Sequence, residues 1–368
     1  MGGDGDKKRK KTHRQVHKRK GIAKQWRKGT GRWQYDGEGE SDDDQLDRKL
    51  SNPRQYHLVS EDEERDALVL QTGGPLAILL DEGEELRARP RRSTTTENPD
   101  ATLVAIGDRV RYLPMGEDEA VITHVYARDS FLLRTSIRDA EYAQVLVANI
   151  DQVIVTAAAT DELLRPGLID RYLVAAAMGG IHARICINKI DLPDRDGEEF
   201  IDELATMYEQ VGYEVLRTSC VTGQGLDELR AAVEGKLSAF SGHSGVGKTS
   251  LLNQLIPELD EKISALSDQS QRGMHTTTRS TLFPLPSGGW IADTPGIREF
   301  GLFQFDASDL HTYFPEFLRF ADDCRFPSCT HTHEPDCGVK AAVEREDIHP
   351  LRYRNYLQIL ESEDDDAS

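Results

Sequence analysis

Residues 242–250 read GHSGVGKTS and match the Walker A pattern GxxxxGK[ST] at every fixed position. The apolar LSAF before it (237–240) predicts a buried strand, and TSLLNQLI after it (249–256) predicts an amphipathic helix with its leucines on one face. A strand, a glycine-rich loop and a helix N-terminus together bind phosphate through backbone N–H groups. The stretch therefore predicts a phosphate loop in an α/β fold.

The phosphate loop predicts distinct roles for its residues. Gly245 and Gly247 let the backbone turn inward. The Lys248 ammonium would act on the β- and γ-phosphates as a catalytic group, and the Thr249 hydroxyl would bind Mg²⁺. The alternative, a chance glycine-rich turn, is disfavoured by the flanking strand and helix. We expect the whole loop to contact the nucleotide: Gly242, His243, Ser244, Gly245, Val246, Gly247, Lys248, Thr249 and Ser250.

A second motif, NKID at 188–191, follows the β-branched run ARICI and so lies at the carboxyl end of a predicted strand. Asp191 can accept hydrogen bonds from N1–H and the exocyclic amine of guanine, donors that adenine lacks at those positions. Asn188 can hydrogen-bond the base edge or tie the loop down, and the stem of Lys189 can lie over the base. The motif predicts GTP as the nucleotide.

Two further motifs complete the set of nucleotide-binding motifs, whose order along the chain can then be compared with that of other proteins. TSCVTGQG (218–225) is similar to the SAxTG loop of GTPases, with Ser219 and Cys220 at the guanine and Cys220 in place of Ala. DTPG (293–296) follows a predicted strand, where Asp293 would hold Mg²⁺ and the catalytic Gly296 N–H would sense the γ-phosphate. NKID precedes the phosphate loop by about fifty residues, the reverse of ordinary GTPases. The order indicates a circularly permuted GTPase domain.

Over roughly residues 65–360 these motifs resemble the RsgA (YjeQ) family of ribosome small-subunit-dependent GTPases. The resemblance implies a GTP hydrolase, producing GDP and phosphate, that assists late maturation of the small ribosomal subunit. It implies stimulation by that subunit, contact with its 16S-type rRNA, and control of rRNA binding and release by the nucleotide. We also expect a cytoplasmic monomer with no membrane partner.

The segment RGMHTTTRS (272–280) lies where the first switch of a GTPase belongs and matches the family pattern GxHTTT. Ile297, after DTPG, can neither donate nor accept a hydrogen bond, so another group must position the attacking water. The resemblance assigns this catalytic role to His275. We expect one of the threonines of the segment to contact the nucleotide and its Mg²⁺, and we take Thr277 as that residue. A solvent-exposed histidine without a role is the alternative.

The spacing Cys324-x4-Cys329-x-His331-x5-Cys337 predicts a Cys₃His site for one zinc ion. Four protein ligands close the site, so the zinc would be structural. A disulfide and unliganded buried thiols are the alternatives, and the first conflicts with the reducing cytosol expected for GTP chemistry. His333 could replace His331, but the family's spacing favours His331.

The charge of the chain is unevenly distributed. Residues 1–35, here called the basic arm, contain 13 Lys+Arg and 2 Asp+Glu, whereas the remainder carries a net −30. The arm has too few apolar residues for a core, and its cations with Trp26 and Trp33 suit RNA phosphates and unpaired bases. A solvated tail, a targeting signal or contact with the chain's own acidic surface are alternatives. No run approaches the ~18 apolar residues of a membrane span.

We predict four regions. A disordered basic arm and acidic linker occupy 1–65. Short alternating strands separated by turns predict a β-barrel over 66–148, which the strand pattern leaves as OB-like or SH3-like; the family resemblance implies an OB-like RNA-binding barrel. Strands and helices alternate over 149–300, as in a doubly wound GTPase sheet, and 301–368 hold an α-rich zinc-binding domain and an acidic tail.

Two other functions compete with the main prediction. The first is a GTP-dependent RNA-binding switch that acts on another RNA, with hydrolysis incidental. The second is a P-loop ATPase or kinase, which NKID argues against. Turnover measured with free small subunits, large subunits and bulk RNA separates the first alternative, and nucleotide competition separates the second.

Overall fold

The computed structural model describes residues 64–366 apart from 74–75, 99–101, 117, 136–142, 161, 194, 258, 260–279 and 294–306. The predictions for the basic arm, for nearly all of the acidic linker and for the last two residues of the tail lie outside the described residues. Those for His275, Thr277 and Gly296 also lie outside them.

Five N-terminal strands close a barrel in the order β1-β2-β3-β5-β4-β1, with β3 and β5 parallel. Alternate side chains fill the barrel, among them Val69, Leu79, Val110 and Ile122, each fully buried. The arrangement confirms the predicted OB-like barrel. The strands are β1 (Arg65–Gly73), β2 (Leu76–Asp81), β3 (Glu84–Thr96), β4 (Arg109–Pro114) and β5 (Glu119–Val125).

A strand predicted for the same region lies outside the barrel. β6 (Phe131–Thr135) pairs antiparallel with β7 (Ala143–Ala148), a strand that the sequence pattern did not reveal. Leu132 and Val147 of this hairpin pack into the core of the following α/β domain. Part of the apolar surface of the hairpin thus packs into the next domain, whereas Val145 and Ala148 of β7 pack with Ala105.

The α/β domain has the sheet order β10-β9-β8-β11-β13-β12, parallel except for β12. Helices α1 and α2 pack on one face and α3 and α4 on the other, so the doubly wound prediction is confirmed. The strands are β8 (Gln152–Ala158), β9 (His182–Asn188), β10 (Glu214–Thr218), β11 (Leu237–Ser241), β12 (Ser280–Pro284) and β13 (Trp290–Asp293). The helices are α1 (Pro166–Met178), α2 (Arg195–Gln210), α3 (Leu226–Val233) and α4 (Lys248–Leu255).

The barrel and the α/β sheet are joined edge to edge. Gln71 and Thr72 of β1 pair with Thr281 and Ser280 of β12, and Gln71 Nε2 donates to Thr281 Oγ1 at 3.1 Å. Leu70 of the same barrel strand packs into the α/β core. The two domains therefore share one continuous sheet and part of one core.

The C-terminal region is built from short helices around an aromatic core. Phe314, Phe317 and Tyr356 are fully buried there and pack with Val174 of α1. No helix in the described part of the chain has the length and apolar character that crossing a membrane requires. The region contains 3-10 helices at Ala307–Tyr313, Phe317–Arg319 and Ala321–Asp323, then α5 (Gly338–Glu344) and α6 (Pro350–Asp366).

Candidate functional site

The four nucleotide motifs lie at the carboxyl ends of neighbouring strands. NKID begins at Asn188, the last residue of β9, and TSCVTGQG begins at Thr218, the last residue of β10. The phosphate loop follows Ser241 of β11, and DTPG begins at Asp293, the last residue of β13. Since these strands are parallel, the motifs meet at one edge of the sheet, where open α/β sheets bind ligands.

The phosphate loop is shaped by glycines in the left-handed backbone region. Gly242 and Gly247 have φ values of +140° and +95°. A Cβ on Gly242 would lie 2.0 Å from the backbone oxygen of Thr156, so the loop runs directly against β8. Lys248 donates from Nζ to the carbonyls of Gly242 and His243, the second at 2.7 Å. Its ammonium is therefore turned into the loop.

NKID is tied to the phosphate loop by two side chains. Asn188 is buried, and its Nδ2 donates to the backbone oxygen of Val246 at 3.0 Å. Lys189 Nζ donates to the backbone oxygen of Gly245 at 2.6 Å. A Cβ on Gly247 would come within 2.4 Å of Asn188 Nδ2, so only glycine leaves room for this contact. Asn188 thus ties the base motif to the phosphate loop in this structure.

The carboxylate of Asp191 is oriented by the TSCVTGQG loop. Ser219 donates from Oγ to Asp191 Oδ1 at 2.5 Å, and the same Oγ accepts from the backbone N–H groups of Val221 and Thr222. Cys220 is half-buried, and burial together with the Asp191 charge raises the pKa of its thiol. The Asp191 side chain is exposed at the sheet edge and available to a base.

Thr218 has no role predicted from the sequence, although it makes central contacts in the structure. Its buried hydroxyl donates to Asn188 Oδ1 at 3.1 Å and lies 3.3 Å from the thiol of Cys186. Thr218 therefore joins the strand ends of β9 and β10 beneath both base loops. A hydroxyl residue at a strand end beside a polar motif was the only sequence signal.

Two predicted Mg²⁺ ligands lie within the described residues. Asp293 ends β13, which runs parallel to β11, the strand that leads into the phosphate loop. Thr249 is exposed in the first turn of α4. The remaining polar side chains of the loop are also exposed: His243, Ser244 and Ser250.

The predicted zinc ligands come together in the C-terminal region, with ligand atoms all within 4.8 Å of one another. His331 Nδ1 lies 3.5 Å from Cys324 Sγ and 3.4 Å from Cys337 Sγ, and the two sulfurs are 3.9 Å apart. A tetrahedral zinc ion, with bonds of about 2.3 Å to sulfur and about 2.0 Å to nitrogen, holds its ligands roughly 3.5–3.8 Å apart. The Cys₃His cluster, completed by Cys329, therefore has the donors and spacing of a metal site.

Burial shifts the pKa values of two ligands in this cluster. It raises the pKa of Cys329 to about 12 and lowers the pKa of His331 to about 4, so the imidazole is held in the neutral form that binds metals. A bound cation would favour the thiolate instead. His333 is exposed and lies outside the cluster, with Nδ1 3.0 Å from Thr332 Oγ1.

A carboxylate that the sequence analysis missed shapes the loop that carries His331. Glu334 accepts hydrogen bonds from the backbone N–H groups of Thr330 and Thr332 at 2.8 and 3.0 Å, and from the Thr330 hydroxyl at 2.7 Å. His331 has a φ of +61°, so the loop holds a non-glycine residue in the left-handed region. A Thr-x-Thr-x-Glu pattern beside the ligands was its only signal.

A family model described as RsgA GTPase matches residues 125–303 of the chain. Many relatives carry the name small ribosomal subunit biogenesis GTPase RsgA, and three of them show the extent of the similarity. The chain is 35% identical to that of Bacteroides fragilis, over 81% of this chain and 96% of the relative. It is 41% identical to that of Chlorobaculum parvum over 80% and 96%, and 42% identical to that of Gemmatimonas aurantiaca over 79% and 95%.

Two crystal structures have a similar fold. YjeQ from Thermotoga maritima superposes with a TM-score of 0.67 and 32% identity, covering 82% of this chain and 98% of its own. YloQ, described as a circularly permuted GTPase, superposes with a TM-score of 0.64 and 27% identity, covering 82% and 96%. Each of the two similarities covers about four fifths of this chain.

Proposed function

Because the chain belongs to the RsgA GTPase family, as its full-length relatives show, we propose that it hydrolyses GTP to GDP and phosphate during late maturation of the small ribosomal subunit. In this proposal the subunit stimulates turnover, and the nucleotide state controls binding to and release from its 16S-type rRNA. The protein acts in the cytoplasm as a monomer.

The contact between NKID and the phosphate loop is the observation that carries the proposal. Asn188 and Lys189 reach the carbonyls of Val246 and Gly245, so the base-reading and phosphate-binding segments form one connected site. Such a connection is what a single guanine nucleotide spanning both segments requires. The circular permutation changes the chain order but leaves this spatial arrangement in place.

Each end of the nucleotide has its own group of residues in this proposal. Asp191 accepts the two guanine protons, while Lys189 flanks the base and Ser219 and Cys220 border it. The phosphate loop, from Gly242 to Ser250, binds the phosphates through its backbone N–H groups. Lys248 exchanges its present carbonyl partners for phosphate oxygens when GTP binds.

Mg²⁺ would be held by Thr249 and Asp293, with Thr277 as a further ligand, and would neutralise charge on the phosphates. His275 is the proposed residue that positions the attacking water, and the Gly296 N–H is the proposed γ-phosphate sensor. The resemblance to the family supports these last three roles.

We further propose that the Cys₃His cluster of Cys324, Cys329, His331 and Cys337 holds one structural zinc ion. The four donors and their spacing support zinc over a disulfide. Zinc supplies folding free energy to a region whose elements are short. Metal analysis of purified protein should find about one zinc per chain, and Cys329→Ser should lower it.

The decisive experiment compares GTP turnover of the full chain alone, with small subunits, with large subunits and with bulk RNA. We expect only small subunits to accelerate it. Equal stimulation by any RNA would favour a general RNA-binding switch instead, and preference for ATP in competition would favour a different P-loop enzyme.

Two variants assign the stimulated turnover to the proposed groups. Lys248→Ala should abolish hydrolysis while the protein stays folded, because its ammonium donates to the loop carbonyls of Gly242 and His243 and serves phosphates rather than core packing. His275→Ala should keep GTP affinity and subunit binding but lose roughly 10²-fold or more in stimulated turnover. Full stimulated turnover in His275→Ala would place the water-positioning group elsewhere.

A further inference from the structure

The half-buried His311 and the buried His331 face each other at the edge of the Cys₃His cluster. The rings of His311 and His331 have centroids 5.1 Å apart and cross at 77°. His311 belongs to the 3-10 helix Ala307–Tyr313, the first described element after β13, whereas His331 lies in the ligand loop. The pair therefore connects two separate segments of the C-terminal region.

Metal binding at His331 determines where its proton must be. Nδ1 is the nitrogen that faces Cys324 and Cys337, at 3.5 and 3.4 Å. A neutral imidazole that ligates through Nδ1 carries its proton on Nε2 and becomes a donor there. Among the described residues, this buried Nε2 has no hydrogen-bond partner.

Among the described ring neighbours of His331, His311 offers an unused acceptor. Phe317 packs at 6.0 Å and has no acceptor atom, and Tyr356 packs at 6.5 Å with its hydroxyl donating to the Thr330 carbonyl. The Tyr353 hydroxyl donates to the carbonyl of His331 itself. Nδ1 of His311 is buried and, within the described part of the chain, also lacks a hydrogen-bond partner.

We propose that His311 is a positioning residue of the metal site, whose Nδ1 accepts a hydrogen bond from His331 Nε2–H in the zinc-loaded protein. The bond satisfies two buried nitrogens at once and fixes the tautomer and ring orientation of the metal ligand. This proposal rests on the proposed zinc assignment.

The proposed bond has a consequence for the architecture. The helix that carries His311 packs near α1 and α6. Zinc binding would therefore hold the helix of His311 against the loop that carries His331, in addition to joining the four ligands. The metal site would then include an element that adjoins the GTPase domain in sequence.

The test measures zinc affinity of the full chain by chelator competition in two variants of His311. His311→Phe keeps a ring of similar shape without an acceptor, and we expect a 10- to 100-fold loss of zinc affinity, the usual scale for a ligand's outer partner. His311→Gln restores an acceptor and should recover most of that loss. His333→Ala, an exposed histidine of the same loop, serves as the control and should bind zinc like the wild type.

Long-range ¹⁵N–¹H NMR of the zinc-loaded wild type provides a measurement that needs no variant. We expect His331 to be protonated at Nε2 and His311 to be unprotonated at Nδ1. Unchanged zinc affinity in His311→Phe, or a proton on His311 Nδ1, would overturn the proposal while leaving the zinc site standing. A wild-type chain that binds no zinc would overturn both.

Discussion

Asp191 illustrates how a single side chain is prepared for its ligand. One carboxylate oxygen is held by Ser219 at 2.5 Å, and the side chain is exposed to solvent at the sheet edge. The group therefore needs little reorganisation to accept two guanine protons. The hydroxyl of Ser219 is itself fixed by two backbone N–H groups, so the orientation extends into the loop backbone.

Replacing this carboxylate should change nucleotide selectivity. In Asp191→Asn the side-chain amide can turn its N–H donors towards the N–H donors of guanine. We expect this mismatch to cost ~1–3 kcal/mol, or roughly 5- to 150-fold in GTP affinity. Xanthine nucleotides should regain affinity, because their base offers the matching acceptor. Fluorescent-nucleotide titration checks both effects, with Asp227→Asn on the exposed face of α3 as the control. An unchanged GTP dissociation constant would remove NKID from the base site.

Gly247 in the phosphate loop provides a second test, of the contact between this loop and Asn188. Gly247→Ala should cost ~1–2 kcal/mol of stability because its φ is +95°, and it should also weaken GTP binding at least tenfold by displacing Asn188. Gly288→Ala is the matched control, since its φ is +88° but a Cβ there meets nothing within 4 Å. Both variants should lose stability in urea unfolding, and only the first should lose affinity. Equal GTP affinities in the two variants would contradict a role for the contact between Asn188 and the phosphate loop in GTP binding.

At the scale of elements, one carboxylate organises the ligand loop. Burial acts to raise the pKa of Glu334, but hydrogen bonds from the Thr330 hydroxyl and from loop backbone N–H groups outweigh it and lower the pKa to about 2. Because the folded pKa is depressed, the stabilisation is complete above pH ~4.5 and is lost as the pH falls towards ~2.

Glu334→Gln should therefore destabilise the loop by about 1–2 kcal/mol near neutral pH, since hydrogen bonds to a charged acceptor are replaced by neutral ones. The difference in free energy of unfolding between wild type and variant should shrink as the pH falls from ~4.5 towards ~2. Urea unfolding across that range measures it, with the exposed Glu344→Gln on α5 as the control. A constant difference at all pH values would show that the charge of Glu334 is not responsible.

At the scale of the whole molecule, a buried ion cluster anchors the C-terminal region on the GTPase domain. Arg352 of α6 donates from Nε to Glu316 Oε1 at 2.6 Å and from Nη1 to Asp170 of α1. All three side chains are almost fully buried, and Asn355 also donates to Asp170, at 2.6 Å. Burial opposes the charged form of Arg352, yet the two carboxylates raise its pKa well above the ordinary value. The zinc-binding region is thus held on α1 as well as by the chain that follows DTPG.

Removing the Arg352 cation should weaken the packing of the C-terminal region on the GTPase domain. Arg352→Met leaves two buried carboxylates without their neutralising cation, and we expect a loss of about 3–5 kcal/mol. Arg345→Met, which breaks an exposed pair with Asp347 at 2.9 Å, is the control and should cost at most about 1 kcal/mol. Chemical unfolding gives both values. A loss below 1 kcal/mol for Arg352→Met would mean that the cluster contributes little to docking.

The sequence by itself determined the fold class, the permuted order of the GTPase motifs and the Cys₃His cluster. These features follow from local patterns: alternating apolar residues define strands, fixed spacings define the phosphate loop, and cysteine spacing defines the metal site. The strand QVIVTAA and the helix LDELRAAV have the predicted bounds, at Gln152–Ala158 and Leu226–Val233. In each of these elements the local preference and the tertiary packing agree.

Only the tertiary structure decided how these parts are joined. The pairing of β1 with β12 and the contact between Arg352 and Asp170 link residues about two hundred positions apart, and no local pattern records such partners. The same reason explains why β7, Thr218 and Glu334 were missed: each is defined by what it contacts in space. A buried arginine and an exposed one read alike in the sequence, because burial is a property of the packed chain.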